Sequence, residues 1–72
     1  MEQLQAADIF RMIEKLPPGY RTVFNLYVVE GYGHKEIAGK LGISENTSKT
    51  QLRKARQQLM IRINKGKIYE TK

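Results

Sequence analysis

Residues 34–56 read HKEIAGKLGISENTSKTQLRKAR, and this stretch decides the fold. Its first apolar residues, Ile37, Ala38 and Leu41, follow the spacing of a short helix with one apolar face. Gly42 comes next, and glycine adopts the left-handed conformation that ends a helix at little cost. The stretch therefore predicts a short helix that stops at this glycine.

A second helix is predicted directly after the turn. Ser44 offers a hydroxyl to cap the free N–H groups of that helix. Apolar residues then repeat at helical spacing, namely Leu52, Ala55, Leu59 and Ile63. Ile43 is placed to fill the angle between the two helices, and Ala38 supplies the small side chain that a steep crossing needs. The pattern is that of a helix-turn-helix, whose second helix is available to enter a DNA major groove.

The composition excludes several classes of protein. A chain of 72 residues predicts one domain that buries only about 60% of its unfolded surface, so a deep enzyme cavity is not expected. There is no cysteine, which excludes a disulfide framework and a thiolate zinc site. No apolar run has the length of a membrane span, and no signal-peptide core is present. These properties favour a soluble, cytoplasmic protein.

The positive charge is concentrated in the second half of the chain. The net charge is +6. Residues 1–33 carry three basic and four acidic side chains, a balance of −1, whereas residues 34–72 carry ten and three, a balance of +7. A basic half could be only a solubilising face. Because it coincides with the helix-turn-helix, a nucleic-acid partner is the favoured interpretation.

The chain as a whole predicts an all-α, compact four-helix domain. The predicted helices span residues 2–16, 18–30, 34–41 and 45–64, followed by a flexible tail over 65–72. Pro17 and Pro18 end the first helix, because proline lacks the N–H group and restricts the residue before it. The second helix is apolar around most of its circumference and is expected to be central, although its three valines make a strand the competing interpretation. Gly33 is the expected N-cap of the third helix, with Glu36 three residues later.

No catalytic or metal-binding set is visible. His34 is the single histidine, and no cysteine is available to pair with it. It is expected to be a surface or half-buried residue, with a phosphate contact as the less favoured role. Glu36 and Glu45 are too isolated to form an acid/base pair or a metal site. We therefore expect no enzyme activity, no cofactor and no metal.

The aromatic residues could form a stacking platform for single-stranded nucleic acid, but their spacing favours the core. The core positions are Tyr20, Phe24 and Tyr27. Tyr32 in the turn and Tyr69 in the tail are expected to be exposed, and two isolated rings do not make a platform.

The outer half of the fourth helix is predicted to carry side chains of the types that bind DNA. With Leu52 facing inward, helical geometry turns a polar set outward, namely Asn46, Thr50, Arg53, Lys54 and Gln57. Thr47 lies on one flank, and Lys49 lies at the margin of the inner face. Amides, hydroxyls and cations are the groups that bond bases and phosphates. Arg56 points closer to the inner side and is expected to have a structural role.

Several short segments resemble region 4 of sigma-70-family factors, most closely the extracytoplasmic-function (group 4) sigma factors. They are Leu16-Pro17-Pro18, Glu30-Gly31, Lys35-Glu36-Ile37-Ala38, Leu41-Gly42-Ile43-Ser44, Thr47, Lys49-Thr50 and Arg53 to Arg56. The resemblance implies a four-helix domain of the winged-helix-like DNA-binding class. It also implies binding to the promoter −35 element and to the β flap of the RNA polymerase core during transcription initiation, as a monomer. Some relatives are held by an anti-sigma factor.

The same resemblance implies that one set of residues faces the −35 duplex, namely Asn46, Thr47, Lys49, Thr50, Arg53 and Lys54. Within it, Arg53 and Lys54 are candidates for guanine, and Asn46 and Thr50 for other base edges. The candidates for phosphate contacts are Lys35, Lys49 and Thr47, with Lys54 as an alternative phosphate contact.

The sequence departs from the family at three points. Ser48 stands where valine is usual, which predicts softer packing, and Gly33 stands where a serine often caps the third helix. The region that melts and reads the −10 element is absent, so this chain alone is not expected to initiate transcription.

Two other interpretations remain open at this point. Response-regulator activators contain a similar four-helix unit but usually carry a histidine soon after a threonine-valine-lysine, where this chain has Gln51 and a basic run. A third hypothesis is a protein-interaction module. It would bind polymerase or an anti-sigma factor through the apolar second helix and the acidic first half, with little affinity for DNA.

Overall fold

The computed structural model describes the backbone of residues 6–70 and the side chains of residues 7–64. Over this range the chain consists of helices, and no strand occurs, so no β-hairpin wing accompanies them here. The elements are α1 (Ala6–Glu14), α2 (Pro18–Phe24), a π-helical turn (Asn25–Val29), α3 (His34–Leu41) and α4 (Glu45–Glu70). The predicted all-α fold with its helix-turn-helix is confirmed.

The first helix ends two residues earlier than predicted, and the first four residues of its predicted range lie outside the described part. The N–H of Leu16 donates to the Ile13 carbonyl at 3.0 Å, an i to i−3 bond that narrows the last turn. Pro17 then disfavours the helical conformation at the residue before it. The Arg21 guanidinium donates to the Glu14 carbonyl at 2.7 Å, which satisfies one acceptor at the end of α1.

The second predicted helix does not stay α-helical. After Phe24 it continues as the π turn, closed by an N–H of Glu30 that donates to the Asn25 carbonyl at 3.0 Å. The competing strand does not form. The extra residue in each π turn shifts later side chains away from an α-helical stripe. Val28 and Val29 are consequently 50% and 60% exposed, so the prediction of a central helix packed on more than one side is wrong at this end.

The turn between α3 and α4 has the geometry that its glycine predicts. Gly42 adopts φ 68° and ψ 34°, the left-handed conformation. Its N–H and that of Ile43 both donate to the Ala38 carbonyl, the latter at 3.1 Å. At the other end of α3, the N–H of Gly33 donates to the Glu36 carboxylate at 2.9 Å. Both ends of α3 are therefore fixed by local hydrogen bonds, and the helix has the bounds predicted for it.

The fourth helix is longer than predicted. Its backbone remains helical to Glu70, six residues past the expected end at Asn64. The expected flexible tail is thus helical over residues 65–70, and residues 71–72 lie outside the described part. Gly66 costs about 1 kcal/mol relative to alanine in a helix interior, but it keeps its N–H and does not interrupt the bonding as a proline would.

One apolar core joins the helices, with α4 packed mainly against α2 and α3 and less extensively against α1. Its members are Ile13, Leu16, Val23, Phe24, Ile37, Leu52, Ala55 and Leu59. Ile9 on α1 is 42% exposed, and Leu41, which belongs to the predicted apolar face of α3, is 38% exposed. Leu41 lies at the end of α3, where it lines an open groove of about 240 Å³ between α2, α3 and α4. Ala38, the small residue predicted at the helix crossing, is half-buried, whereas Ser48 and Ala55 of α4 are fully buried.

Candidate nucleic-acid interface

The first turn of α4 is held by a side-chain cap. The Ser44 hydroxyl accepts a hydrogen bond from the N–H of Thr47 at 2.9 Å and donates a hydrogen bond to the Thr47 hydroxyl at 2.8 Å. The Ser44 carbonyl accepts the N–H of Ser48 at 3.1 Å. The predicted N-cap is confirmed, and these bonds fix the start of the helix on which most of the predicted DNA contacts lie.

The inner side of α4 is anchored in the core. Ser48 and Ala55 are fully buried, Leu52 is 3% exposed and Leu59 is 8% exposed. These residues recur at intervals of three and four, as one face of a helix requires. Because this face is buried, the side chains on the opposite face of α4 are directed toward solvent.

The predicted DNA contacts lie in solvent. Six are exposed, namely Lys35, Asn46, Thr47, Lys49, Arg53 and Lys54, and the seventh, Thr50, is half-buried. We call the six members on α4 the outer face: Asn46, Thr47, Lys49, Thr50, Arg53 and Lys54. Among the side chains of residues 7–64, the ion pair that forms joins Arg11 and Asp8 of α1 and leaves the cations of the outer face without acidic partners. The charge of the outer face is therefore available to a polyanion.

His34 makes a contact that the sequence did not indicate. It is half-buried, as expected, but its Nδ1 lies 2.8 Å from the Oγ of Ser48 on α4. Its ring also stacks on Tyr27, with centroids 4.5 Å apart and an angle of 22° between the planes. The hydroxyl of Ser48 is thus bonded inside the core. This pairing could not be predicted, because it depends on the angle at which α3 crosses α4. The spacing of residues within one helix gives no information about that angle.

The basic side chains around the aromatic residues differ in their contacts. Arg56 is exposed, with its guanidinium carbon 6.0 Å from the centre of the Tyr27 ring, at the outer limit of a cation–π contact. Tyr32 is half-buried rather than exposed, since it packs against the core. The Lys40 ammonium lies over its ring, 4.4 Å from the ring centre. The core prediction for Tyr20, Phe24 and Tyr27 is confirmed. The side chain of Tyr69 lies outside the described residues.

The described part of the chain provides neither a cluster of metal ligands nor a membrane-spanning helix. No three His, Cys, Asp or Glu side chains come together there in a way that could hold a metal ion. None of the described helices combines the length and apolar character needed to cross a bilayer.

Comparison with known proteins identifies the family. The chain matches the family described as Sigma-70, region 4 over residues 6–59. It is 34% identical over 53 residues to the ECF RNA polymerase sigma factor SigE of Mycolicibacterium smegmatis, an alignment that covers 74% of this chain and 21% of that protein. The chain thus spans about a fifth of the length of this relative, and no solved structure matches it. The match runs from α1 to Leu59 and includes the whole helix-turn-helix with its outer face. The chain therefore belongs to the sigma-70 family as a region 4 DNA-binding domain of the extracytoplasmic-function type.

Proposed function

We propose that this chain recognises the promoter −35 element with the outer face of α4 and docks on the RNA polymerase core during transcription initiation in the cytoplasm. The observation that carries the proposal is the orientation of α4. One side of the helix is buried through Ser48, Leu52 and Ala55, and the other presents cations and an amide to solvent. A helix held in this way can lie in a major groove without any rearrangement of the core.

The side-chain chemistry supports a division of roles on the outer face. Arg53 is exposed, and its planar fork matches the O6 and N7 acceptors of guanine. Lys54 is the second guanine candidate and is also suited to phosphate, because an ammonium group lacks that fixed fork. Asn46 is exposed at the start of the helix and is the candidate for adenine N6 and N7. Thr50 is half-buried, so its short hydroxyl is a candidate for a single contact with another base edge.

Three residues are proposed to bind phosphate and set the orientation of the helix. Lys35 and Lys49 are exposed cations that have no ion-pair partner among the described side chains. The Thr47 hydroxyl oxygen accepts a hydrogen bond from the Ser44 hydroxyl, and the Thr47 O–H group remains free to donate to a phosphate oxygen. Phosphate contacts of this kind supply affinity and register rather than sequence preference.

Docking on polymerase is proposed from the resemblance and is supported by exposed apolar side chains away from α4. Val28 and Val29 on the π turn are 50% and 60% exposed, and Phe10 on α1 is 59% exposed. Apolar surface on a small domain is typical of protein contacts. The β flap is the proposed partner, and an anti-sigma factor is a second possible occupant of such a surface. The family assignment removes the response-regulator interpretation, and the interaction module without DNA affinity becomes one outcome of the experiment below.

The experiment is a selection followed by a salt titration. The 72-residue chain is used to select duplexes from a pool with a randomised centre, and its Kd is then measured for the selected duplex and for a scrambled one. We expect a preference for the selected duplex. We also expect the logarithm of the association constant to fall with the logarithm of the salt concentration, with a slope of about −2 to −4. This slope corresponds to about two to four side-chain cations in contact with phosphates. Lys35→Ala should make this slope shallower by about 1. No enriched sequence and a flat salt response would contradict DNA recognition and leave only the protein-interaction module.

A further inference from the structure

We propose that His34 is a positioning residue for DNA recognition, acting through its hydrogen bond to Ser48. This inference rests on the proposed function, because it concerns how α4 is aimed at the duplex. Ser48 is fully buried and lies between Thr47 and Lys49, both exposed members of the outer face. Any movement of Ser48 therefore moves the residues that would meet DNA on both of its sides.

The bond ties α4 to the start of α3. His34 is the first residue of α3, and its Nδ1 lies 2.8 Å from the Ser48 Oγ. The imidazole is held in place by its stack on Tyr27 of the π turn, at 4.5 Å. One ring thus joins three elements, and the neighbouring residue on α3 is Lys35, a proposed phosphate contact. The distance between the phosphate contact on α3 and the outer face of α4 is set at this junction.

The hydroxyl of Ser48 has one local alternative to His34. A serine inside a helix can bond the carbonyl of residue i−4, and that carbonyl belongs to Ser44 and already accepts the Ser48 N–H at 3.1 Å. Such a local bond would satisfy the hydroxyl without tying α4 to α3. The bond to His34, unlike this local bond, joins the two helices and so contributes to fixing their relative arrangement.

Loss of the bond should lower sequence preference more than general affinity. If α4 samples other arrangements, only a fraction of the molecules is competent to read bases. The apparent Kd for the selected duplex is then the intrinsic Kd divided by that fraction, so it rises. Binding to scrambled DNA depends on phosphate contacts, which tolerate a reoriented helix. From the net strength of one hydrogen bond we expect the ratio of the two affinities to fall about two- to tenfold.

The test is a double-mutant cycle read out as that ratio. His34→Phe keeps a ring to stack on Tyr27 but removes Nδ1, and Ser48→Ala removes only the hydroxyl. Both single variants and the double variant are compared on the selected and scrambled duplexes. The matched control is Thr22→Ala, which removes a hydrogen bond of equal length, 2.8 Å, from the Thr22 hydroxyl to the Pro18 carbonyl within α2.

Each single variant should reduce the preference about two- to tenfold, and the double variant should reduce it no further, because all three lack the same bond. The control variant, Thr22→Ala, should show the same ratio of affinities for the selected and scrambled duplexes as the wild-type chain. Wild-type ratios in both single variants, or losses that add in the double variant, overturn the positioning role, even if the melting temperature falls. If His34→Phe does not fold, Ser48→Ala decides by the same ratio. Failure of the proposed function is recognised separately, as a wild-type chain that shows no preference before any variant is measured, and the positioning role is then rejected with it.

Discussion

The turn that separates α3 from α4 can be tested with two glycines that differ only in backbone conformation. Gly42 has φ 68°, and a Cβ added there meets no heavy atom within 4 Å. Steric contact therefore contributes nothing to the cost of Gly42→Ala. What remains is the left-handed conformation, which costs an L-residue roughly 1–2 kcal/mol.

Gly39 provides the matched control. It lies inside α3, and a Cβ added there also meets no heavy atom within 4 Å. Because its backbone is helical, Gly39→Ala should stabilise the chain by about 0.5–1 kcal/mol. Gly42→Ala should instead destabilise it by about 1 kcal/mol, once the loss of unfolded-state freedom that favours alanine is subtracted. The two variants should therefore differ by about 2 kcal/mol.

Urea unfolding of the two variants measures this difference directly. A domain of this size has a free energy of unfolding of only about 0.05–0.15 kcal/mol per residue, so 1 kcal/mol is a large share of the total. It should move the melting temperature by about 4–8 °C in opposite directions for the two variants. Equal effects of Gly39→Ala and Gly42→Ala, or a Gly42→Ala chain as stable as wild type, would refute the conclusion that the left-handed residue fixes the end of α3.

Four further predictions concern single side chains. Arg53→Ala should weaken binding to the selected duplex by about 1–3 kcal/mol and to scrambled DNA by less, whereas Arg11→Ala, which removes one charge from α1, should leave the ratio unchanged; equal losses on both duplexes would assign Arg53 to phosphate. Ser44→Ala should lower the free energy of unfolding by about 1 kcal/mol, and Ser44→Asp should retain most of the cap; no change on loss of the hydroxyl would contradict the capping role. Ile37→Ala should cost about 2–5 kcal/mol in urea unfolding, against about 0.5–1.5 for Ile37→Val, and a smaller cost for alanine than for valine would contradict its place in the core. Lys40→Gln should cost about 0.5–1 kcal/mol through the lost contact with the tyrosine ring beneath it, and that cost should be absent in a chain whose ring has been replaced by leucine.

The helix-turn-helix could be predicted because its signals are local. A helix end needs a left-handed residue, and Gly42 supplies it within a few residues of the cap at Ser44. The inner face of α4 follows from helical spacing alone, so the burial of Leu52, Ala55 and Leu59 required no knowledge of the other helices. The exposed outer face follows from the same geometry.

Features that depend on contacts between elements could not be predicted in this way. The π turn is one example, because no residue type specifies its hydrogen bonds between residues five positions apart. The bond between His34 and Ser48 is another, since the residues are 14 positions apart and meet only when α3 crosses α4. The extension of α4 to Glu70 has a different cause: Gly66 lies just past the predicted end of the helix, but a glycine lowers helical propensity without requiring a helix to end.

The candidate site divides in the same way. Which residues face solvent was predictable, because exposure on α4 is set by the helical period and by its buried face. Whether Arg53 meets a base or a phosphate depends on the docked position of the helix in the groove, which is set by contacts with DNA. Thr50 was predicted on the outer half of the helix and is half-buried.

The most direct measurement is a titration of the isotope-labelled chain with the selected duplex, followed by NMR of the backbone amides. Recognition by the outer face predicts that the largest shift changes occur from Asn46 to Lys54 and at Lys35, that they are smaller with scrambled DNA, and that α1 and the π turn change little. Largest changes on α1 or the π turn, or equal changes with both duplexes, would contradict the assignment of DNA recognition to α4.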